Sequence, residues 1–299
     1  MSTKNEIPRD VTVIGLGMMG ATLARLLLQN GYRVTVWNRT PEKADALVRE
    51  GAILAPDAAS AVAASPVVVV CVHDYKATHE ILGPKAAASA LAGRLLIQLT
   101  TGSPQEARDA EAWAREHRAE YLDGAIQAAP DQMARPDTMI LLSGAQSAFR
   151  RGEAVLRLFG GNLRYLGESV GLASAMDLAT LSTVYGVFLG FLHGARVSEV
   201  EGIRVDDYAA ILAEALPTFS EFFRHEGYVI QSGDFTVSQS PLSISVAATE
   251  RLVQTGRASG IDTAFPELAA DLLRRAAAAG YENEEVAAAI KVLRQSRKE

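Results

Sequence analysis

Three glycines carry the first chemical signal. In Val11-Thr12-Val13-Ile14-Gly15-Leu16-Gly17-Met18-Met19-Gly20 a β-branched run leads straight into Gly15-x-Gly17-x-x-Gly20, and residues 21–28 follow with helical spacing. A tight turn calls for Gly15, backbone that approaches a pyrophosphate calls for Gly17, and close packing of helix on strand calls for Gly20. The first turn of the helix adds unpaired N–H groups and a positive dipole end. Placed between strand and helix, Gly15, Leu16, Gly17, Met18, Met19 and Gly20 read as a dinucleotide-binding element.

The residues after the second strand choose the dinucleotide. Arg33-Val34-Thr35-Val36-Trp37 is that strand. An NAD site commonly ends it with Asp or Glu, which accepts hydrogen bonds from the ribose 2′-OH. Here Asn38-Arg39-Thr40-Pro41-Glu42-Lys43 follows, with no carboxylate at the strand end. Asn38, Arg39, Thr40 and Lys43 offer amide, charge and hydroxyl donors to a 2′-phosphate. Thr40-Pro41 also suits a helix start, with Pro41 at its first position, and a cap and a phosphate site are compatible. The expected cofactor is NADPH in preference to NADH.

These groups need a frame, and the chain supplies alternating strands and helices. Strand patterns recur at 51–54, 66–72, 95–99, 120–123, 139–142 and 163–166. Asp57 opens a helix over 58–64, and Ser103-Pro104 opens one over 105–117 with Glu106 in its first turn. Such alternation predicts an α/β Rossmann domain, a doubly wound and mostly parallel sheet. Ligands bind such sheets beyond the carboxyl ends of the strands, which puts Val72, His73, Thr100, Thr101 and residues 123–127 on one rim with the glycine loop. Thr101 is the candidate contact for the nicotinamide ribose. Beyond about residue 168 no strand recurs. Helical patterns cover 171–198, 205–216, 219–231, 241–259, 265–279 and 283–295, the last with Asn283 as its cap. The expected organisation is a nucleotide domain over 1–167 and an all-helical domain over 168–299, joined by the helix of about 171–198.

Composition narrows the function classes. A chain of 299 residues has room for two cores, and 48% hydrophobic with 21% charged residues describes an ordinary soluble protein. A net charge of −6 with no basic stripe argues against a nucleic-acid partner. The single cysteine, Cys71, reads as a small buried strand residue, excludes an internal disulfide and fits a reducing compartment. With no apolar run in the first ten residues, a cytoplasmic location is expected. The segment 173–195 is apolar and carries Gly186-x-x-x-Gly190-x-x-x-Gly194, but Asp177 and His193 interrupt it, so a buried interdomain or intersubunit helix is expected and not a membrane span. The five histidines show no metal-ligand spacing, Asp206-Asp207 suits a helix cap, and Phe219, Phe222, Phe223 and Phe235 suit core or pocket wall.

Over essentially its full length the chain resembles the β-hydroxyacid dehydrogenase superfamily. The resemblance rests on Gly15-Leu16-Gly17-Met18-Met19-Gly20, Asn38-Arg39-Thr40, Thr101 with Pro104, and the long helix feeding a helical domain. In hydroxyacid oxidisers that helix opens with a pattern like G-x-G-x-x-x-K-x-x-N-N, whose lysine assists alcohol oxidation. Here Gly171-Leu172-Ala173-Ser174-Ala175-Met176-Asp177-Leu178-Ala179-Thr180-Leu181 places Asp177 at the lysine and Thr180-Leu181 at the asparagines. Asp123-Gly124-Ala125-Ile126-Gln127 likewise departs from the D-A-P-V-S-G-G stretch of those enzymes. In these departures the chain looks like the NADPH-dependent imine reductases, a branch that includes the reductive aminases.

That resemblance implies Asp177 and Tyr185 as catalytic residues, an imine or a ketone plus an amine as substrate, and a homodimer with intertwined helical domains. A lysine would repel an iminium, whereas an aspartate attracts one. Tyr185 lies eight residues on, roughly 80° off the line of Asp177, a placement able to line one pocket with the aspartate but not to touch it directly. A β-hydroxyacid or semialdehyde dehydrogenase is the alternative among enzymes. A non-catalytic dinucleotide-binding sensor or scaffold is the alternative from another class.

Overall fold

The computed structural model describes residues 9–295. The chain divides into two compact units, the first through Ser182 and the second from Thr183.

The first unit is built on an eight-stranded sheet with strands β1 (Asp10–Ile14), β2 (Arg33–Trp37), β3 (Ile53–Leu54), β4 (Val67–Val70), β5 (Leu95–Gln98), β6 (Glu120–Ile126), β7 (Met139–Gly144) and β8 (Asn162–Tyr165). Their order is β3-β2-β1-β4-β5-β6-β7-β8, parallel throughout except for β6 against β7. The doubly wound sheet expected from alternation is therefore present. Helices α1 (Met18–Gln29), α2 (Asp45–Arg49), α3 (Ala58–Ala63), α4 (Tyr75–Leu82), α5 (Lys85–Ala90), α6 (Pro104–Glu116) and α7 (Gln146–Phe159) flank it. Both faces are covered, which explains the unbroken apolar run of β4. Val67 and Val69 enter one core with Leu23 and Leu27, while Val68 and Val70 enter the other with Leu82 and Leu96. Ser103 and Glu106 form a reciprocal capping box at the start of α6.

Helix α8 (Gly171–Val200) runs unbroken from the first unit into the second, so the compact division falls inside it. Its first turns are docked on the sheet. Ser143 Oγ donates to Val170 O (2.6 Å) and accepts from the Ala173 amide (2.9 Å). Val184, Val187, Phe188 and Leu189 in its middle are exposed in the single chain, so burial within one chain does not hold there, whereas the expected intersubunit face is compatible with it. By length and composition alone α8 could cross a membrane, yet its opening turns are bonded into a nucleotide-type sheet.

In the second unit, α9 (Val205–Ser232), α10 (Leu242–Ala258), α11 (Ala264–Ala276) and α12 (Ile290–Arg294) follow the end of α8. Val229, Phe235, Leu242, Ala276, Ala288 and Val292 form their core. Gly194 lets the Tyr208 ring approach, since a Cβ there would lie 2.3 Å from the Tyr208 hydroxyl. The two helices expected over 205–216 and 219–231 are one. Pro217 sits inside it at an exposed position, where the carbonyl it leaves unpaired is not sealed in a core. Only Phe235 of the four phenylalanines is core; Phe219, Phe222 and Phe223 are exposed. Asp206 and Asp207 stand in the first turn of α9 without capping it. The helix expected from Asn283 is instead a short 3-10 turn, Val286–Ala289, running into α12, because Glu285 is drawn inward by other contacts.

Candidate active site

A cleft of about 890 Å³ opens at the carboxyl ends of β1, β2 and β4, lined by Gly15 to Gly20, Asn38, Arg39, Thr40, Lys43, Val72 and His73 among others. The three glycines divide the work. Gly15 has φ +94°, its N–H donates to Trp37 O at 3.0 Å, and a Cβ there would lie 2.2 Å from Cys71 O. A Cβ on Gly20 would lie 2.0 Å from Gly15 O, so α1 and the turn after β1 meet only because both positions are bare. Gly17, the cap position of α1, has nothing within 4 Å of where its Cβ would be. No protein atom requires glycine at 17, which leaves the backbone there open to close approach by a ligand.

Asn38 braces this loop. Its Oδ1 accepts from the Leu16 amide at 3.0 Å, and its Nδ2 donates to Thr40 O at 2.9 Å. Both ends of the amide are thus occupied by backbone, which gives Asn38 a shaping role beside the phosphate role expected of it. Arg39, Thr40 and Lys43 stand exposed on the cleft rim. Neither cation has an ion pair among the described residues. Thr40 occupies the cap position of a 3-10 turn over Pro41–Ala44, but its side chain makes no cap bond. Its hydroxyl and the two cations are therefore available to a ligand.

On the facing rim the Val72 amide donates to Thr100 Oγ1 at 3.1 Å, and Val72 and His73 line the cleft. Thr101 is exposed and does not line it. Cys71 follows β4, half-buried in the cleft wall. Burial pushes its thiol up to about 11, which keeps it protonated.

Asp177 lies on the second turn of α8, only 4% exposed. Gln127 Nε2 donates to Asp177 Oδ1 at 2.6 Å, and Gln127 Oε1 accepts from Thr180 Oγ1 at 2.8 Å. Burial raises the Asp177 pKa and the Gln127 bond pulls it back. Tyr185 stands further along the same helix, in the second unit, and is 63% exposed.

A second buried carboxylate carries no role in the sequence reading, which named Asp123 only as a rim position. Asp123 is 1% exposed. Its Oδ1 accepts from Tyr75 OH and, at 3.4 Å, from Tyr121 OH; its Oδ2 accepts from Ser174 Oγ at 2.6 Å. Burial pushes its pKa up to about 6 against these three hydroxyl donors.

In the second unit His225, Glu226 and Glu285 gather with their ligand atoms within 4.8 Å of one another. Linear spacing did not show this because the fold brings in Glu285 from far along the chain. Glu285 accepts from the amides of Ser238, Gln239 and Ser240 at 2.7–3.3 Å, so it serves as the anchor of that loop.

Known proteins share this architecture and these segments. The family described as the NAD binding domain of 6-phosphogluconate dehydrogenase matches residues 10–167, and the NADPH-dependent reductive aminase-like C-terminal domain matches residues 169–295. The NADPH-dependent reductive aminase of Aspergillus oryzae is 30% identical over 286 residues, 94% of this chain and 96% of that protein. The imine reductase of Myxococcus stipitatus, solved in complex with NADP⁺, superposes with a TM-score of 0.90 at 34% identity, covering 95% of this chain and 99% of the other. The reductive aminase of Aspergillus terreus, solved with NADPH4, cyclohexanone and allyl amine, gives 0.88 at 33% identity with the same coverage. This chain belongs to the imine reductase and reductive aminase family.

Proposed function

We propose that the chain is an NADPH-dependent imine reductase, an oxidoreductase that delivers hydride to a C=N bond and yields an amine. Reductive amination of a ketone with an amine is the extended form of the same reaction. The observation that carries this reading is Asp177, a buried carboxylate held by Gln127 at the position where hydroxyacid oxidisers carry a lysine.

The cleft fits the cofactor. The open approach at Gly17 and the N-terminus of α1 suit a pyrophosphate. Arg39, Lys43 and the unengaged Thr40 hydroxyl suit a 2′-phosphate, with Asn38 fixing the loop that presents them. When bound, NADPH supplies the hydride.

The substrate carbon is most electrophilic when its nitrogen is protonated. Asp177, shielded from water, attracts that positive charge more strongly than an exposed carboxylate does. The same burial that raises its pKa lets it hold a proton and pass it to the nitrogen, while the Gln127 amide keeps the anion accessible. Tyr185 is the second catalytic residue of the reading. Its exposure in the single chain supports a homodimer in which a partner covers it, as do the exposed Val187 and Phe188 of α8. Residues 1–167 hold the nucleotide, residues 168–299 serve dimerisation and substrate, and the enzyme works in the cytoplasm.

The test is NADPH consumption with a 2-substituted pyrroline by the parent, Asp177→Asn and Asp177→Ala. Parent turnover that falls at least ~10-fold in both variants, over ~1.3 kcal/mol of barrier, is the expected result. Absence of imine turnover, with oxidation of a 3-hydroxy acid by NADP⁺ in its place, overturns the reading.

A further inference from the structure

The Asp123 cluster is a buried anion with no cation paired to it among the described residues. The titratable groups facing it are Tyr75 from α4 and Tyr121 from β6, and the third donor is Ser174 from α8. A buried unpaired carboxylate is costly and weakens a core unless its hydrogen bonds do something that apolar packing does not. These bonds connect elements that touch the site from two sides. Tyr75 sits two residues beyond His73 of the cleft rim, and its ring presses on Gly102, where a Cβ would lie 2.3 Å from Cε2. Ser174 sits one helical turn before Asp177, on the same face of α8. Four residues after Asp123, Gln127 takes hold of Asp177 itself. Two rungs four residues apart on one segment thus catch two side chains one turn apart on the helix. A slip of α8 along its axis breaks both.

We propose that Asp123 is a positioning residue: its carboxylate, gripping Ser174 on one side and Tyr75 on the other, locks the opening turns of α8 to the cleft rim and so fixes where Asp177 stands. The inference rests on the role given to Asp177 above, but the lock itself is measurable without turnover.

The test uses the full chain with Asp123→Asn and Ser174→Ala. Asn preserves volume and removes the anion, imitating a permanently protonated acid; Ala removes one grip and leaves the anion. Three readouts are compared: hydrogen exchange of the amides over 172–180, the NADPH Kd, and kcat on a cyclic imine from pH 5 to 8. In both variants, exchange over 172–180 accelerates about ten-fold while residues 15–20 are unchanged. In Asp123→Asn, kcat falls about ten-fold and the NADPH Kd stays within about two-fold. The parent rate is expected to fall as Asp123 takes up its proton near pH 6, beside the fall that belongs to Asp177; Asp123→Asn should lose the Asp123 component alone and Ser174→Ala should keep it. Unchanged exchange over 172–180 in both variants overturns the proposal, as does loss of NADPH affinity equal to the loss in kcat. Should Asp123→Asn fail to fold, Ser174→Ala decides by exchange alone. Accelerated exchange in the variants, with a parent that turns over no imine, upholds the lock and removes the reaction assignment instead.

Discussion

Gln127 holds Asp177 from the end of the sheet, its Nε2 2.6 Å from Asp177 Oδ1, while its own Oε1 is fixed by Thr180. In this orientation the amide presents a donor to the aspartate and an acceptor to the Thr180 hydroxyl, which also lies 2.8 Å from Asp177 O. A donor to the charged form lowers a carboxylate pKa, and here it opposes burial, which is the larger effect. Replacing Gln127 with Leu removes the opposing influence. The Asp177 pKa then rises further, and the acid limb of kcat that belongs to Asp177 moves to higher pH. At neutral pH a larger share of the enzyme carries protonated Asp177, so electrostatic support weakens for an iminium that arrives already charged, and kcat on such a substrate drops. A pH–rate profile of Gln127→Leu that coincides with the parent removes Gln127 from the mechanism.

The glycine loop separates a folding requirement from a binding requirement. Alanine at Gly20 drives its Cβ to 2.0 Å from Gly15 O, and relieving that clash costs about 1–3 kcal/mol. Alanine at Gly17 meets no protein atom within 4 Å. Thermal unfolding of the apo forms should therefore show a clear loss for Gly20→Ala and a small one for Gly17→Ala, under about 1 kcal/mol. NADPH titration should reverse the emphasis at Gly17, with affinity lost although the fold is kept. Parent-like affinity in Gly17→Ala places the pyrophosphate elsewhere.

Much of this was legible from residue order alone, and the side-chain partners that were missed share one cause. The glycine motif, the strand alternation and the Ser103 cap depend on neighbours within a few residues, so local chemistry reveals them. The Asp177 position was read through resemblance, and its burial and its Gln127 partner needed the fold, since 50 residues separate the two side chains. The same holds for Asp123, whose partners Tyr75 and Ser174 lie 48 and 51 residues away. Short helices α4 and α5 escaped because each offers little periodicity, although Asp74 caps the first through the Ala77 amide. Pro217 misled in the opposite direction, because a proline at an exposed helix position leaves no unpaired carbonyl sealed in a core.

Cofactor choice tests the rim. Arg39 carries a full positive charge on the cleft edge and has no carboxylate partner among the described residues. A charge-assisted contact to a 2′-phosphate contributes about 1.5–3 kcal/mol, so Arg39→Ala should weaken NADPH binding by roughly 10- to 100-fold. NADH, which lacks that phosphate, should bind the variant as it binds the parent. Fluorescence titration with both cofactors measures the ratio. Equal losses for the two cofactors take the 2′-phosphate away from Arg39.

Two buried glutamates of the second unit, Glu226 and Glu285, predict opposite responses to pH. Glu226 is 8% exposed and neither carboxylate oxygen has a well-formed hydrogen bond; the Ala287 amide and His225 beside it only partly offset its burial. Burial, then the nearby Glu285, raises its pKa. The folded chain thus binds a proton at this site more readily than the unfolded chain does. The stability linked to that proton is present at low pH and lost as pH rises through the folded pKa. Glu226→Gln removes the charge without changing shape, so it should stabilise the neutral-pH protein by about 1 kcal/mol. The gain should shrink as the pH falls and the parent glutamate protonates. Glu285 behaves in the reverse sense: burial pushes its pKa up, but three amide donors together outweigh that and lower it. Its stabilisation is present above the ordinary carboxylate range and lost as pH falls through the folded pKa. Glu285→Gln should therefore destabilise at pH 7, with the deficit closing in acid. Unfolding midpoints measured at pH 5 and pH 8 for both variants decide the matter, and shifts of the same sign at pH 8 overturn the assignment of Glu226 as the unsatisfied member of the pair.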